Sequence, residues 1–518
     1  MGKSRGVVAA GHTLTAEAAA EVLRAGGNAY DAVLAALMVA CVTEPVLCSP
    51  GGGGFLLARP VSGMPRVYDF FVQTPAARQA ESTLDFRPIL ADFGAVTQEF
   101  HIGLGTVAVP GLVRGLFDIH RDLGTLPMAD IVAQAVGHAK NGIAVTPFQA
   151  YLFRVVSATF TATEACHRIF RGAHDGAALV EEGETLRQPE LADTLETLAI
   201  EGDDLFYRGE IAAAIHGDMR AGGQITFEDL AAYTVERRAP LTLEYHGVRV
   251  HTNPPPSSGG LLIAFGLKLL ESVDIEALGF ASCDYLDTLV RVMGATAEAR
   301  VAAGGDTGLD SGQILDDAFL ARYREEIAGR AASRRGTTHM SVIDADGNIA
   351  SLTVSNGEGS GYVVPGTGIV MNNMLGEEDL NPGGFQRWPE AHRMTSMMAP
   401  TALEWPNGDT VALGSGGSNR LRSAILQVLV NLVDFALPVE EAVQASRVHY
   451  ENGLLSVEGG FHTESLGALL EAFPDNHVWE QRNMFFGGVH TASATRDGMR
   501  GTGDPRRGGA SLLCNGAS

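Results

Sequence analysis

The sequence predicts an α+β fold in which helices and sheets are stacked in layers. Apolar residues recur at helical spacing between residues 15 and 270, whereas β-rich segments with a hairpin signal follow residue 336. Because a hairpin joins antiparallel strands, a purely parallel sheet is not expected. The 518 residues, 45% of them hydrophobic, can bury a large core, and no repeat or linker divides the chain.

The helices are predicted from their spacing and their end signals. Residues 15–25 have helical spacing, and Gly26-Gly27 ends that helix. Asp31 is expected to begin a helix containing the apolar run 32–42, which is about half of the ~20 residues that a membrane span needs. Thr226 caps a further helix, with Asp229 at the capping-box position. The remaining helices are predicted over residues 111–122, 129–140, 190–200, 261–270 and 420–435.

The strands are predicted in the C-terminal part of the chain. Residues 340–343 and 349–354 are β-rich, and the segment between them contains Asp346-Gly347, a strong hairpin signal. A further strand over 410–413 leads into a glycine-rich turn, 414–418, which precedes the long helix.

Charge and composition exclude several classes of partner. The 37 Lys and Arg residues against 61 Asp and Glu give a net charge of −24. Nucleic acids and anionic membranes attract clustered cations, so neither is expected as a partner. The apolar stretch 7–10 is too short for the core of a secretory signal, which favours a cytoplasmic location. The five scattered cysteines are expected to be buried, reduced thiols.

The sequence predicts neither a metal nor another cofactor. The glycines at 51–54 lack the Gly-Lys-Ser/Thr of a phosphate-binding loop. The turn at Asp344 resembles the start of a calcium loop, but the twelfth position is Ser355 where a bidentate Glu is required. No His-Glu-x-x-His or paired Cys/His spacing is present, and no serine has the glycine spacing of a nucleophile elbow.

One candidate for catalysis is the tetrapeptide from Gly336 to His339, just before a predicted strand. A threonine hydroxyl is a weak nucleophile unless a base lies beside it. Cleavage of the bond before Thr337 would free its own α-amino group as that base, and the small Gly336 would ease the backbone distortion that intramolecular attack requires. Taken alone, the tetrapeptide is more simply explained as an ordinary strand start.

A second candidate is the glycine turn over 414–418. It precedes a long helix, where backbone N–H groups and the helix dipole favour negative charge. Such a turn can stabilise the oxyanion of an acyl-transfer intermediate. It can equally be a tight turn with no chemical role.

The whole chain resembles the γ-glutamyltranspeptidase family of N-terminal-nucleophile hydrolases. Segments that carry this resemblance occur in the family's order, and the ordered set is far more specific than any one of them. They are Ala-Gly-Gly-Asn-Ala-Tyr-Asp-Ala-Val (25–33), Gly-Gly-Gly-Gly-Phe (51–55), Gly-x-Ile-Thr-x-Glu-Asp-Leu-Ala-Ala-Tyr (223–233), Pro-Pro-Pro-Ser-Ser-Gly-Gly (254–260), Thr-Thr-His-x-Ser-Val-x-Asp-x-Asp-Gly-Asn (337–348), Gly-Ser-Gly-Gly (414–417) and Asp-Pro-Arg (504–506).

The resemblance implies a four-layer αββα sandwich and a precursor that cleaves itself between Gly336 and Thr337. Segments 1–336 and 337–518 would be a large and a small subunit, intertwined in one globular unit, with further oligomerisation left open. Thr337 would be the nucleophile and, through its amino group, the base. Ser355 would bond to it, and Gly416 and Gly417 would supply oxyanion-hole amides. The substrate would be a small-molecule amide, and the acceptor water or an amine.

Substrate recognition fits the family less well. Phe71 stands where the family has an Arg that grips the substrate α-carboxylate, and loss of such a contact costs on the order of 1.5–3 kcal/mol. Asn356 and Glu377 are candidates to bind the α-carboxylate and the α-ammonium. Of the family's Ser-Ser pair, Ser396 remains and Met397 replaces the second hydroxyl.

Three functions therefore stay open. The family default is cleavage of γ-glutamyl, glutathione-like amides. The second is the same chemistry on another acyl group, resembling the cephalosporin-acylase branch, and the third is an unprocessed protein that only binds a ligand. An arginine that reaches the space beside Phe71 and faces Thr337 would argue against a changed acyl group, and Arg66 and Arg78 are the candidates in sequence.

Overall fold

The computed structural model describes residues 4–92, 97–173, 178–302, 311–325, 337–381, 383–417 and 419–516. Gly336, on the N-terminal side of the predicted cleavage, lies outside these ranges.

The strands are numbered in chain order. They are β1 (Ser4–Ala10), β2 (Gly53–Arg59), β3 (Arg66–Phe70), β4 (Arg87–Asp92), β5 (Thr97–Ile102), β6 (Ile143–Ala144), β7 (Thr185–Leu186), β8 (Glu236–Arg238), β9 (Leu241–Tyr245), β10 (Val248–Thr252), β11 (Thr338–Asp344), β12 (Ile349–Ser355), β13 (Thr401–Glu404), β14 (Thr410–Gly416), β15 (Val448–Glu451), β16 (Leu454–Val457), β17 (Asn476–Val478), β18 (Gly488–Thr495), β19 (Gly498–Thr502) and β20 (Ala510–Asn515).

The helices are numbered in the same way. They are α1 (Thr13–Ala25), α2 (Ala29–Thr43), α3 (Leu112–Leu123), α4 (Met128–Asn141), α5 (Pro147–Val155), α6 (Ser157–Phe160), α7 (Glu164–Phe170), α8 (Pro189–Glu201), α9 (Asp204–Tyr207), α10 (Glu210–Met219), α11 (Phe227–Ala232), α12 (Ser258–Leu270), α13 (Ile275–Leu278), α14 (Cys283–Ala302), α15 (Ser311–Ile314), α16 (Asp317–Glu325), α17 (Arg420–Val433), α18 (Val439–Gln444) and α19 (Thr463–Ala472). Short 3₁₀ helices cover Glu81–Thr83, Leu104–Thr106, Met374–Gly376, Glu378–Leu380, Met484–Phe486 and Pro505–Arg507. Within the described ranges, no helix is long and apolar enough to cross a bilayer.

Two antiparallel sheets form the centre of the molecule. Sheet 1 has the order β20-β1-β11-β12-β2-β3-β8, and sheet 2 has the order β19-β18-β14-β13-β10-β9. Both sheets contain strands from before and after residue 337, so the two predicted subunit segments are interleaved in each sheet.

Three hydrophobic cores separate the layers. One packs α1, α2, α3 and α4 onto the outer face of sheet 1, and another packs α12, α14 and α17 onto the outer face of sheet 2. The third lies between the sheets and is called here the inter-sheet cluster; it includes Phe55, Phe71, Ile343, Met397 and Ala412. The prediction of a four-layer αββα sandwich is therefore confirmed.

The predicted helices are present, but α2 begins earlier than expected. Asn28 is its cap, and Asn28 and Asp31 form a capping box. Asp31 is therefore the third helical residue, and it also accepts a hydrogen bond from the Thr125 N–H at 2.9 Å. The prediction that Asp31 starts the helix was wrong because a capping box places its acidic residue three positions inside. Cys41, Cys48, Cys166 and Cys514 are buried, as predicted, whereas Cys283 is partly exposed.

The hairpin β11–β12 is confirmed, and Asp344 fixes it. Its Oδ1 accepts from the Asp346 and Asn348 N–H groups, and its Oδ2 accepts from the Ala29 N–H at the start of α2. Gly347 has a φ of 94°, which glycine adopts without strain. Side chains alternate along β11: Met340 lies in the helix-side core, and Ile343 in the inter-sheet cluster. Odd-numbered residues of β11 therefore face sheet 2.

Strand β14 is longer than predicted. It continues to Gly416, so the glycines expected in a turn belong to the strand, and Gly416 pairs with Gly488 of β18. Gly417, with a φ of 124°, ends it. The sequence pattern missed this extension because glycine usually weakens a strand, and here it is required by a close contact between the sheets.

A buried ionic network holds the C-terminal part of sheet 2. The Asp504 carboxylate accepts from Arg447 Nη2 at 2.7 Å and from the Val489 N–H at 2.9 Å. Arg506 contacts both Asp504 and Glu458. Burial alone would raise the pKa of Asp504, but the two guanidinium groups and the backbone N–H donors lower it to about 2.

We predict that Asp504→Asn destabilises the protein by about 3–5 kcal/mol at pH 7, because it leaves buried guanidinium charges without their partner. Since the folded pKa of about 2 is below the ordinary 3.8, the contribution of Asp504 is complete above about pH 4 and disappears as the pH falls through 2. Thermal unfolding followed by circular dichroism should show the gap between wild type and variant closing in that window. Asp497→Asn, at an exposed position, is the control. A gap that does not depend on pH would contradict this assignment.

Candidate active site

Thr337 lies buried at the start of β11, in the middle of sheet 1. A Cβ added to Gly416 would lie 2.1 Å from the Thr337 carbonyl oxygen, so only glycine allows β14 to approach this closely. Arg507 Nη1 donates to the same oxygen at 3.3 Å. The Thr337 carbonyl is thus held between Gly416 of sheet 2 and a buried cation.

The strand register places Ser355 beside Thr337. Thr338 is paired with Val354, so the next pair along the same register is Thr337 and Ser355. Residues directly opposite in an antiparallel pair have Cβ atoms about 4.5–5.5 Å apart on the same face of the sheet. Ser355 is buried, and its Oγ accepts a hydrogen bond from the Gly357 N–H at 3.0 Å.

Gly417 also needs to be glycine. Its φ of 124° is unfavourable for residues with side chains, and an added Cβ would lie 3.1 Å from Arg507 Nη2. The structure therefore brings both predicted oxyanion-hole glycines to the vicinity of Thr337 and Arg507. The predicted role of their amides is consistent with this placement.

Phe71 lies in the same row of sheet 1. Ser355 pairs with Gly53, and the pairing of Gly54 with Phe70 sets Gly53 opposite Phe71. Phe71 is therefore about 10 Å from Ser355, two strand spacings away, and Gly53 leaves the space between them without a side chain. The Phe71 ring stacks on Phe55 with 5.4 Å between the ring centroids and belongs to the inter-sheet cluster.

One arginine, Arg393, lies directly beside Phe71. Its guanidinium donates to the Phe71 carbonyl oxygen, to the Tyr233 hydroxyl and to the Thr234 carbonyl oxygen. Its Nε is 3.7 Å from the Asp69 carboxylate. These contacts hold Arg393 at the backbone of Phe71, behind the side chain.

The two arginines proposed from the sequence are elsewhere. Arg66 is exposed, and Arg78 is an exposed residue that pairs with Glu390. Neither contacts Phe71 or Thr337 in any described interaction.

Asn356 and Glu377 meet around one loop. Asn356 is fully buried, and its side-chain amide has no hydrogen-bond partner among the described residues. Glu377 is also buried, and its Oε1 lies 2.2 Å from where a Cβ on Gly357 would be. Both candidates are thus within two residues of Ser355 or in contact with that segment. A buried amide without a partner is the kind of group that a polar ligand satisfies.

Ser396 lies at the start of α12. Its carbonyl oxygen accepts from Ser257 Oγ at 2.7 Å and from the Ser258 N–H at 2.9 Å, and its hydroxyl accepts from the Met398 N–H. The described hydrogen bonds of Ser396 are therefore to this local turn. Its neighbour Met397 belongs to the inter-sheet cluster together with Phe71.

Two residues near Thr337 were missed in the sequence. Arg507 directly follows the Asp-Pro-Arg motif, which was its only signal. Glu44 is a charged residue at the end of the apolar helix α2, and its Oε2 accepts a hydrogen bond from Thr338 Oγ1 at 2.7 Å. Nothing local in the sequence links Glu44 to Thr338, because the two are 294 positions apart.

Burial shifts the pKa values of both missed residues. It raises the pKa of Glu44 to about 7, although hydrogen bonds from Thr338 and Thr15 and the charge of Arg507 act in the opposite direction. Burial lowers the pKa of Arg507 to about 10, against the charges of Asp504 and Glu44. The site therefore holds a cation and a carboxyl that titrates near neutral pH.

Two cavities adjoin this region. The Glu44 cavity, of about 250 Å³, is lined by Glu44, Gly11, His12, Gln149 and Arg506, among others. The Gly417 cavity, of about 40 Å³, is lined by Gly417, Arg507, Glu358 and Arg420 and by apolar side chains that include Leu152, Val155, Val156, Trp479 and Phe485. Leu47 and Leu152 line both cavities and form the wall between them.

A metal centre is not evident in this region. The described residues contain no group of three or more His, Cys, Asp or Glu side chains arranged to hold a metal ion.

Comparisons with known proteins cover nearly the whole chain. A family model described as gamma-glutamyltranspeptidase matches residues 15–514. A glutathione hydrolase proenzyme of Pseudomonas aeruginosa is 32% identical over 86% of this chain and 83% of its own length. An acylase ACY 1 proenzyme of Pseudomonas sp. V22 is 33% identical over 88% and 84%, respectively. The solved cephalosporin acylase of Bacillus halodurans superposes with a TM-score of 0.85 at 26% identity, over 99% of this chain and 96% of that one.

We predict that Gly416→Ala destabilises the protein by about 2 kcal/mol or more, because the new methyl group overlaps the Thr337 carbonyl oxygen. Thermal unfolding would measure the loss. Gly137→Ala is the matched control: its added Cβ meets nothing within 4 Å in helix α4, and it should stabilise by roughly 0.5–1 kcal/mol. Equal unfolding midpoints for Gly416→Ala and wild type would mean that the sheets can separate at this contact without cost.

Proposed function

Because the chain belongs to the γ-glutamyltranspeptidase family, whose members are enzymes processed from a precursor, we propose that it is a self-processing amidohydrolase and acyltransferase with Thr337 as its nucleophile. The observation that carries this proposal is the position of Thr337. It begins a central strand, opposite Ser355, and its carbonyl is held between Gly416 and Arg507. The family and its relatives leave the purely ligand-binding alternative without support.

The proposed reaction begins at the Thr337 hydroxyl. Its proton passes to the α-amino group of the same residue while Oγ1 bonds to the carbonyl carbon of the substrate amide. The electrons of the C=O bond move to oxygen, whose negative charge the Gly416 and Gly417 N–H groups would stabilise. Ser355, on the same face of the sheet, would orient the attacking hydroxyl through its own.

The second half of the reaction releases the products. As the tetrahedral intermediate collapses, the C–N bond breaks and the α-ammonium group returns its proton to the departing amine. The acyl group remains on Thr337 as an ester. Water or an acceptor amine then attacks that ester, which gives an acid or a new amide and restores the Thr337 hydroxyl.

The same chemistry would produce the mature enzyme. Attack by the Thr337 hydroxyl on the preceding Gly336 carbonyl, followed by hydrolysis, would separate segments 1–336 and 337–518. The interleaved strands of both sheets support the proposal that the two pieces stay together after the cut.

We predict that purified wild-type protein consists of two chains beginning at residues 1 and 337, whereas Thr337→Ala stays a single chain of about 54.5 kDa. Intact mass spectrometry would distinguish them. Thr337→Ser keeps a hydroxyl and should still be cut, more slowly. Cleavage before position 337 in the alanine variant would rule out Thr337 as the processing nucleophile.

The acyl group is the second part of the proposal. γ-Glutamyl amides are the family default, but one observation favours an acyl group without a free α-carboxylate. Phe71 fills the position of the carboxylate-binding Arg, and Met397 replaces a hydroxyl in the same inter-sheet cluster. Arg393 is held at the backbone behind Phe71. A relative named as an acylase and a superposable cephalosporin acylase support this second candidate.

We predict that a glutaryl anilide is turned over at least as fast as the matching γ-glutamyl anilide. Both release the same amine, so kcat/KM compares only the acyl part. In an enzyme with the carboxylate-binding Arg, a contact of about 1.5–3 kcal/mol would favour the γ-glutamyl substrate by roughly 10–150-fold. Such a preference here would reject the changed acyl group. Thr337→Ala gives the background rate.

A further inference from the structure

Glu44 occupies a position that costs stability. Its carboxyl is buried at the C-terminal end of α2, where the helix dipole disfavours negative charge. Burial of a carboxylate is unfavourable as well. A group kept in two unfavourable environments points to a role other than folding.

The contacts of Glu44 lead to the residue next to the nucleophile. Oε2 accepts from Thr338 Oγ1 at 2.7 Å, and Oε1 accepts from Thr15 Oγ1 at 3.1 Å. A Cβ on Gly11 would lie 2.6 Å from Glu44 Oε2 and 2.7 Å from Thr338 Oγ1, so Gly11 makes room for this hydrogen bond. The carboxyl therefore holds the Thr337–Thr338 segment from the helix side of sheet 1.

Arg507 holds the same segment from the other side. Its guanidinium donates to the Thr337 carbonyl oxygen, and its charge is close enough to influence Glu44. Thr337 is thus bracketed by a cation and an acid that are both buried. Any charge that appears on Thr337 interacts with both of them at low effective dielectric constant.

The Glu44 cavity gives this carboxyl a route for proton exchange. His12 Nε2 and Gln149 Nε2 line the cavity, both side chains are more than nine-tenths buried, and neither nitrogen has a hydrogen-bond partner among the described residues. His12 Nδ1 accepts from the Leu14 N–H, which leaves the proton of the neutral imidazole on Nε2. A cavity of about 250 Å³ with such donors holds water.

We propose that Glu44 is a positioning residue for catalysis, which fixes the Thr337–Thr338 segment and whose negative charge stabilises the protonated form of the α-amino group that cleavage frees on Thr337. The inference rests on the proposed function only in that the amino group must be freed. Its effect is to set the pH at which this group becomes a base. The amino group and Glu44 would titrate as a coupled pair.

Other charged and titratable groups around the pair come from four elements. They are Arg507 and Asp504 near the 3₁₀ helix Pro505–Arg507, Cys41 in α2 and Cys48 after it, His12 before α1, and Arg506 in the cavity wall. Arg507 opposes protonation of the amino group. His12 stays neutral, because burial and His138 lower its pKa to about 4.

The test uses the processed protein and the variant Glu44→Gln. Cyanate carbamoylates only the neutral form of an α-amino group, so the pH dependence of labelling at Thr337, read by peptide mass, gives the midpoint of its titration without any substrate. Removal of the negative charge should lower that midpoint by about one pH unit, which is about tenfold faster labelling one unit below the wild-type midpoint. The acidic limb of kcat/KM should move in parallel.

Two further variants make the result specific. Glu451→Gln removes another buried carboxylate, which pairs with Arg422 on β15, and should leave the midpoint unchanged. Thr338→Val keeps Glu44 but removes the hydrogen bond that favours its ionised form, so it should lower the midpoint by a smaller amount. This variant also serves if Glu44→Gln does not fold.

The outcomes separate the two proposals. A single uncut wild-type chain overturns the proposed function and this inference with it. A correctly cut protein whose labelling midpoint is the same with and without the Glu44 charge overturns this inference alone. A midpoint that moves equally in Glu451→Gln would also overturn it, since the effect would then be one of net charge.

Discussion

The site depends on one contact between the two sheets, the approach of Gly416 to the carbonyl oxygen of Thr337. It requires that β14 carry no side chain at this point, and it brings the end of sheet 2 against the start of β11 in sheet 1. Arg507 then reaches the same oxygen, and its own position follows from the adjacent Asp504 network. Close packing makes this arrangement stiff, because neither backbone can move without disturbing a fully buried cation.

The register of sheet 1 separates chemistry from recognition along one row. Thr337 and Ser355 lie at one end, and Phe71 lies beyond the open position at Gly53. An acyl chain that reaches across Gly53 would meet Phe71 without altering the residues at the nucleophile. Changes of acyl specificity can therefore accumulate at Phe71 and Met397 in the inter-sheet cluster, while the catalytic end of the row stays the same.

The helix layer on sheet 1 contributes more to the site than a cover for the core. Side chains alternate along β11, so Thr338 points away from the nucleophile's face and towards α2. Its partner Glu44 is thus on the opposite side of the sheet from Gly416. The strand that carries Thr337 is held from both faces, by hydrogen bonds on one side and by the close backbone contact on the other.

The sequence by itself determined the elements whose causes are local. The Asn28–Asp31 capping box and the Asp344 hairpin are made by residues a few positions apart, and the ordered motifs identified Thr337 and its glycines. The tertiary structure alone decided the remainder: the extension of β14 to Gly416, the burial of Phe71 among apolar side chains, and the placement of Glu44 and Arg507 beside Thr337–Thr338. Those contacts join positions 294 and 170 apart, and no local spacing encodes which distant strand or helix end will be packed there.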